Sequence, residues 1–128
     1  MPGPKAAKGV PNGSETGEDV IPRRPLGKTS VQVLALGLGG YHLGDADTVK
    51  EAMNIVHEAI DYGIDFFDTC WEYHTGEPEN RLARALAGRR DKVFFMTKVG
   101  ADGRDKKVVM QQLEESLKRL RTNHLDLW

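Results

Sequence analysis

The sequence contains a single cysteine, Cys70, and lacks the apolar run of roughly 18 residues that a membrane-spanning helix requires. One cysteine excludes an internal disulfide and any zinc site built from paired cysteines, and it is typical of a reducing cytoplasm. The sequence also lacks an excess of charge of either sign, because its 18 Lys and Arg residues are nearly balanced by 19 Asp and Glu residues. We therefore expect a cytoplasmic protein with no metal site and no membrane or nucleic-acid partner.

Residues 1–20 lack aromatic side chains and are rich in proline and glycine. Five of the six prolines precede residue 26, whereas the first aromatic residue is Tyr41. A segment of this composition buries too little apolar surface to offset the entropy that is lost on ordering. We predict a disordered arm over residues 1–20 and one small domain over residues 21–128. No apolar segment follows Arg23-Arg24, so neither a secretory nor a twin-arginine signal is expected.

The remainder of the chain alternates predicted strands and helices. Apolar runs predict strands over residues 31–36, 64–69, 93–98 and 124–128, whose starts near residues 33, 64, 93 and 124 lie 31, 29 and 31 residues apart. Helices are predicted from a capping box at Thr48 to Gly63, from Pro78 to Gly88, and from about Asp105 to Arg121 with Asn123 as C-cap. A steady unit of one strand and one helix predicts parallel strands with right-handed crossovers.

Two architectures are built from such units, the doubly wound sheet and the (β/α)8 barrel. Gly37-Leu-Gly39 resembles the start of a GxGxxG turn, but His42 stands where the third glycine is required, and the next helix begins late. The barrel averages about 31 residues per unit, which fits the spacing here. We therefore predict an α/β fold that corresponds to the N-terminal half of a (β/α)8 TIM barrel, with four units of which the last is incomplete. Gly39-Gly40 has two interpretations, a turn with positive φ or close approach of the backbone to a ligand.

Three polar residues lie at or just beyond the ends of consecutive predicted strands. Asp68 ends the second strand, Tyr73 follows in the loop, and Lys98 ends the third. Because the carboxyl ends of all barrel strands open onto one face, we expect these side chains to converge there. An ammonium stabilises the phenolate form of a neighbouring tyrosine, and a carboxylate keeps a lysine charged, so the trio suits general acid–base chemistry. Each residue also has an ordinary structural interpretation: Asp68 as the cap of a turn, Tyr73 as a half-buried aromatic residue on the rim, and Lys98 as a solvated cation at a strand end.

The segment Phe67–Leu86, FDTCWEYHTGEPENRLARAL, resembles the signature of the aldo-keto reductase family. The matching features are an Asp-Thr pair, a following Tyr, and then Gly, Glu, Leu and an Ala-Leu pair at the family's spacing. Thr97-Lys98 and Leu125–Trp128 are also similar to the family, and Arg24–Val31 resembles the β-hairpin that closes the bottom of these barrels. The resemblance covers about residues 21–128, the whole chain outside the predicted arm.

The resemblance implies a (β/α)8 barrel, preceded by a short β-hairpin, that reduces a small-molecule aldehyde or ketone with NADP(H), or alternatively NAD(H), as cofactor. The family's catalytic Asp, Tyr and Lys fall on Asp68, Tyr73 and Lys98. Tyr73 is then the proton donor to the carbonyl oxygen, Lys98 promotes that transfer, and Asp68 holds Lys98. Gly40 and Tyr41 follow the first strand and, together with Asp68, are expected to bind the cofactor at its nicotinamide ribose.

The family's fourth catalytic residue is a histidine just past the fourth strand, and it has no counterpart among His42, His57, His74 and His124. We therefore expect an N-terminal fragment that is inactive alone and that can self-associate through unpaired sheet edges. The alternative is a non-catalytic interaction module or accessory subunit built on the same fold. The presence of an Asp, a Tyr and a Lys at the expected positions favours the enzyme, because a binding module has no need of that trio.

Overall fold

The computed structural model describes residues 20–100 and 105–128, so the arm predicted over residues 1–20 lies outside the described residues apart from Val20. The described strands are β1 (Arg23–Pro25), β2 (Gln32–Leu34), β3 (Leu38–Gly39), β4 (Phe66–Asp68) and β5 (Phe94–Met96). The described α-helices are α1 (Val49–Asp61), α2 (Glu77–Ala85) and α3 (Lys106–Leu120). Each helix in these two ranges is too short or too polar to cross a membrane. The cytoplasmic location and the lack of a nucleic-acid partner stay predictions.

The chain enters the domain through a β-hairpin. Strands β1 and β2 are antiparallel, and Gly27 turns the chain between them with a φ of 57°. The hairpin expected from the family resemblance is therefore confirmed, but the assignment of residues 31–36 to the first parallel strand is wrong. An apolar run of this length fits a hairpin and a parallel strand equally well. Here the tight turn lets the run pair locally, which buries Val33 and Leu34.

Strands β3, β4 and β5 form a parallel sheet in chain order. They begin at residues 38, 66 and 94, an interval of 28 residues each time. Beside β5, the predicted fourth strand is reduced to a single parallel bridge between Met96 and Leu127. Parallel strands that are neighbours both in the chain and in the sheet, with a helix between them, are the repeating unit of a (β/α)8 barrel.

Alternate residues of β4 and β5 face opposite sides of the sheet. Phe67 and Phe95 are fully buried against apolar side chains of the three helices, and each contributes roughly 1.5–3 kcal/mol by its burial. Phe66 and Phe94 lie on the other side, where their ring centroids are 5.8 Å apart, and they are only half-buried. Asp68 is on the same side as Phe66, so the sheet directs it away from the helices.

The three helices begin close to the predicted positions, and a polar side chain caps two of them. Thr48 Oγ1 accepts a hydrogen bond of 3.0 Å from the N–H of Glu51 and caps α1. The carboxylate of Asp105 accepts hydrogen bonds from two N–H groups in the first turn of α3. Pro78 lies in the first turn of α2, where its missing N–H leaves no hydrogen bond unmade. The helix starts therefore follow from local sequence.

The end of α3 differs from the prediction of a C-cap at Asn123. Arg121 ends the helix in a left-handed conformation with a φ of 53°. The N–H of Thr122 then donates to the carbonyl oxygen of Leu117, which is typical of a Schellman-type helix end. A left-handed conformation is sterically less favourable for arginine than for asparagine. For this reason the sequence predicted the helix end at Asn123 and not at Arg121.

The buried side of α3 is partly polar. An apolar side is predicted from Val109, Leu113, Leu117 and Leu120, but only the last of these is fully buried. The other buried side chains are Gln112 and Ser116. Gln112 Oε1 accepts a hydrogen bond of 2.8 Å from the N–H of Gly100, which follows β5. Helix α3 therefore contacts the rest of the domain through hydrogen bonds as well as apolar packing.

Replacing Thr48 by Ala removes the hydroxyl that caps α1, and we expect the free energy of unfolding to fall by about 1 kcal/mol. Thr48 is exposed, so the substitution removes no packing. Urea denaturation measures the change. Thr48→Ser keeps the hydroxyl and is the matched control, expected to stay close to wild type. Equal stability of the Ala and Ser variants would contradict the role of the cap.

Candidate active site

The ends of the three parallel strands are tied together at one edge of the sheet. The N–H of Gly40, just past β3, donates to the carbonyl oxygen of Asp68 at 2.6 Å. The N–H of Trp71, in the loop after β4, donates to the carbonyl oxygen of Lys98 at 2.9 Å. Side chains from successive strand ends therefore share one rim, as parallel topology requires.

An ion pair joins the ends of β4 and β5. The ammonium of Lys98 donates to Oδ1 of Asp68 and, at 2.7 Å, to the carbonyl oxygen of Thr69. The Asp68 and Lys98 side chains remain 42% and 39% exposed, so the pair adds little to stability. The pair instead determines the position of the ammonium, because its two acceptors lie at the end of β4 and on the residue that follows it.

Tyr73 lies beside this ion pair. The Nζ of Lys98 is 5.4 Å from the centroid of the Tyr73 ring. The ring of Tyr41 packs edge-to-face against the Tyr73 ring, with centroids 5.2 Å apart. The structure therefore brings together all of the residues predicted for the site: Gly40, Tyr41, Asp68, Tyr73 and Lys98.

The loop that carries Tyr73 turns sharply just after it. His74, Thr75 and Gly76 have φ angles of 43°, 55° and 92°, all in the left-handed region. Positive φ is uncommon for residues with a side chain and costs most for a β-branched residue such as Thr75. Contacts around the loop must therefore hold this conformation, and one of them is the His74 ring, whose centroid is 4.6 Å from that of Tyr41. The sequence signals this turn only at its glycine.

A buried carboxylate lies behind the loop. Glu79, in the first turn of α2, is 0% exposed. Its Oε1 accepts hydrogen bonds from Thr97 Oγ1 at 2.9 Å and from Ser116 Oγ at 2.7 Å. Its Oε2 lies 3.3 Å from Nη1 of Arg119. An acidic residue in the first turn of a helix is common, so nothing in the sequence beyond the family resemblance points to Glu79.

Cys70 belongs to the same loop but has an inert environment. Its side chain is buried, and Sγ lies 3.6 Å from the carbonyl oxygen of Lys98 and 3.8 Å from that of Val99. Burial raises the pKa of the Cys70 thiol above its ordinary value. The thiol is therefore neutral at physiological pH and is a poor nucleophile.

Comparison with known proteins gives one consistent family. The model of the Aldo/keto reductase family matches residues 35–128. The uncharacterized oxidoreductase YqkF of Bacillus subtilis (strain 168) is 31% identical over 116 residues, which cover 83% of this chain and 37% of the relative. The methylglyoxal reductase YeaE of Escherichia coli (strain K12) is 33% identical over 99 residues, which cover 77% of this chain and 35% of the relative. The chain thus spans little more than a third of either relative.

A solved structure agrees with the fold. The crystal structure of an aldo-keto reductase from Klebsiella pneumoniae in complex with NADPH has a TM-score of 0.70 and 32% sequence identity to this chain. The match covers 74% of this chain and 34% of that chain. The predicted N-terminal portion of a (β/α)8 barrel is therefore confirmed.

Gly40 has no room for a side chain, whereas its neighbour Gly39 does. A Cβ at Gly40 would lie 2.5 Å from Thr69 Oγ1 and 3.1 Å from the Asp68 carbonyl oxygen, but one at Gly39 would have nothing within 4 Å. We expect Gly40→Ala to lower the free energy of unfolding by roughly 1–3 kcal/mol, because the buried Thr69 must move. Gly39→Ala is the control and should be nearly neutral. Chemical denaturation that finds the two variants equally stable would refute the close packing at Gly40.

The buried thiol of Cys70 should react slowly in the folded protein. At about pH 8, we expect iodoacetamide to alkylate Cys70 much more slowly in native protein than in urea, because burial both covers the thiol and keeps it protonated. Mass spectrometry of the peptide that contains Cys70 measures the rate, and a short unstructured peptide of the same sequence is the control. Alkylation of the native protein at the rate of the free peptide would show that the thiol is accessible.

Proposed function

The chain belongs to the aldo/keto reductase family, and from this premise we propose that the protein containing it is an NADP(H)-dependent oxidoreductase that reduces an aldehyde or ketone to an alcohol. The observation that carries the proposal is the convergence of Asp68, Lys98 and Tyr73 on one rim of the parallel sheet. Because the chain spans 37% of YqkF and 35% of YeaE, the proposed activity is that of a whole reductase to which these residues contribute.

In this proposal, Tyr73 donates a proton to the carbonyl oxygen as that oxygen gains negative charge. A tyrosine hydroxyl is a weak acid, so it needs a neighbouring positive charge to release its proton readily. The ammonium of Lys98, 5.4 Å from the centre of the Tyr73 ring, supplies that charge. Asp68 and the carbonyl oxygen of Thr69 accept hydrogen bonds from the ammonium and so orient it toward the rim.

The same rim fits the nicotinamide end of NADP(H). Tyr41 and the Asp68–Lys98 pair are partly exposed, and a side chain at Gly39 would meet nothing within 4 Å, so the rim has open space beside polar groups. Among the described residues, Oδ2 of Asp68 makes no hydrogen bond, which leaves an acceptor for a ribose hydroxyl. Gly40, Tyr41 and Asp68 would hold this part of the cofactor. When bound, the reduced nicotinamide supplies the hydride that the carbonyl carbon receives.

Small carbonyl compounds are the substrate class we propose. The relative YeaE is a methylglyoxal reductase, and the K. pneumoniae structure contains NADPH. Short aldehydes and α-ketoaldehydes with NADPH are therefore the first substrates to test.

Tyr73→Phe removes only the hydroxyl, and we expect it to lower kcat for carbonyl reduction by at least about 100-fold in the full-length protein, the scale of a lost general acid. The dissociation constant of NADPH should stay within about twofold, because the ring and its packing against Tyr41 remain. The decrease in NADPH absorbance with a panel of short aldehydes measures kcat, and NADPH fluorescence titration measures binding.

Tyr62→Phe is the matched control. Tyr62 is exposed at the end of α1, at the opposite end of the sheet from the rim, and its hydroxyl should have no effect on kcat. Near-normal turnover of Tyr73→Phe would eliminate Tyr73 as the proton donor. A folded wild-type protein that reduces no carbonyl compound with NADPH or NADH would favour the accessory-subunit alternative.

A further inference from the structure

We propose that Glu79 and Arg119 are positioning residues that hold the Tyr73 loop and the end of β5 in one fixed relation. Neither side chain lies on the rim. Glu79 nevertheless contacts Thr97, the neighbour of Lys98, and Arg119 contacts Trp71, two residues before Tyr73. The proposal rests on the proposed reductase function, because it explains how the Tyr73 hydroxyl and the Lys98 ammonium are held at a fixed distance and orientation.

Glu79 anchors the end of β5. A fully buried carboxylate is costly unless donors surround it, and Glu79 has three: Thr97, Ser116 and Arg119. Thr97 immediately precedes Lys98 and is itself fully buried. Because side chains alternate along an extended chain, fixing Thr97 toward the helices directs Lys98 to the rim on the opposite side.

Arg119 anchors the loop on both sides of Tyr73. Its Nη1 donates to the carbonyl oxygen of Trp71 at 2.9 Å, and its guanidinium lies over the Trp71 ring, 5.4 Å from the centroid. On the other side of Tyr73, a Cβ at Gly76 would lie 2.5 Å from the Arg119 Cζ, so the guanidinium fills the space beside the left-handed turn. The contacts of Arg119 therefore begin two residues before Tyr73 and end three residues after it.

A planar guanidinium suits this task and an ammonium does not. Nη1 of Arg119 contacts both the Trp71 carbonyl oxygen and Glu79 while the face of the group stacks on an indole ring. Glu115 extends the cluster, since it accepts a hydrogen bond of 2.8 Å from Trp71 Nε1 and lies 3.8 Å from Arg119. Hydrogen bonds from Gln111 and Trp71 lower the pKa of Glu115 below its ordinary value, so it stays ionised beside the guanidinium.

Stability alone is a weak explanation for this cluster. Replacing a buried ion pair by well-packed apolar residues is often neutral or stabilising, because desolvation offsets the attraction between the charges. The contacts of Glu79 and Arg119 instead converge on the two segments that carry the proposed proton donor and its ammonium. The Arg119 guanidinium also packs beside Gly76, the last of the three left-handed residues after Tyr73.

Arg90 provides a matched control for Arg119. It also pairs with a carboxylate (Asp126 at 2.8 Å), donates to a backbone carbonyl (Val93 at 3.1 Å) and lies over an aromatic ring (Phe95, 5.6 Å from the centroid). The Arg90 and Arg119 side chains are 17% and 24% exposed. Arg90 precedes β5 and therefore lies at the end of the sheet opposite the rim.

The test compares Arg119→Lys with Arg90→Lys in the full-length protein. We expect both variants to lose similar thermal stability, but only Arg119→Lys should lower kcat, by about tenfold or more. The KM for the aldehyde and the NADPH dissociation constant should stay within about threefold, because the rim itself is unaltered. Glu79→Gln should lower kcat in the same way, and the double variant with Arg119→Lys should lose little more than either single variant.

Hydrogen–deuterium exchange of the peptide over residues 71–76 provides a readout that does not depend on activity. Arg119→Lys should speed exchange there, whereas Arg90→Lys should not. Equal kcat and equal loop exchange in the two variants would overturn the positioning role. A wild-type protein with no reductase activity would instead contradict the proposed function, and the loop exchange would still decide whether Arg119 holds the loop.

Discussion

The contact between Lys98 and Asp68 across neighbouring strands is the interaction on which the site depends. Strands β4 and β5 are parallel, and Asp68 pairs with Met96, the last residue of β5. Lys98 lies two residues after Met96, and its ammonium donates a hydrogen bond to the Asp68 carboxylate. The pair is half exposed and adds little free energy. Its value is geometric, because it keeps a cation beside the Tyr73 ring at a strand end that otherwise opens to solvent.

Thr97 and Lys98 are adjacent residues just beyond β5, and their side chains face opposite sides of the sheet. Lys98 faces the rim, whereas Thr97 faces the helices and donates to the buried Glu79. The same carboxylate pairs with Arg119, which also contacts the loop of Tyr73. The chemistry proposed for the rim is thus linked to polar packing between α2 and α3. This arrangement accounts for a charged cluster in a place where apolar side chains would pack more simply.

Much of this structure follows from local sequence, and the remainder depends on partners far along the chain. The cap at Thr48 and the spacing of apolar runs predicted α1 and the parallel order, and the parallel order brought Asp68 and Lys98 together. The run over residues 31–36 was misassigned because an apolar run does not specify its pairing partner. The burial of Ser116 was missed for a related reason, since a polar residue is buried only when a partner from another element, here Glu79, receives its hydrogen bond.

The most direct test of the central claim is an experimental structure of the full-length protein with NADP bound. We predict that the Lys98 ammonium lies within about 4 Å of the Asp68 carboxylate and that the Tyr73 hydroxyl and the nicotinamide share one rim. A structure in which Lys98 points into bulk solvent, or in which the cofactor lies at the opposite end of the sheet, would contradict it.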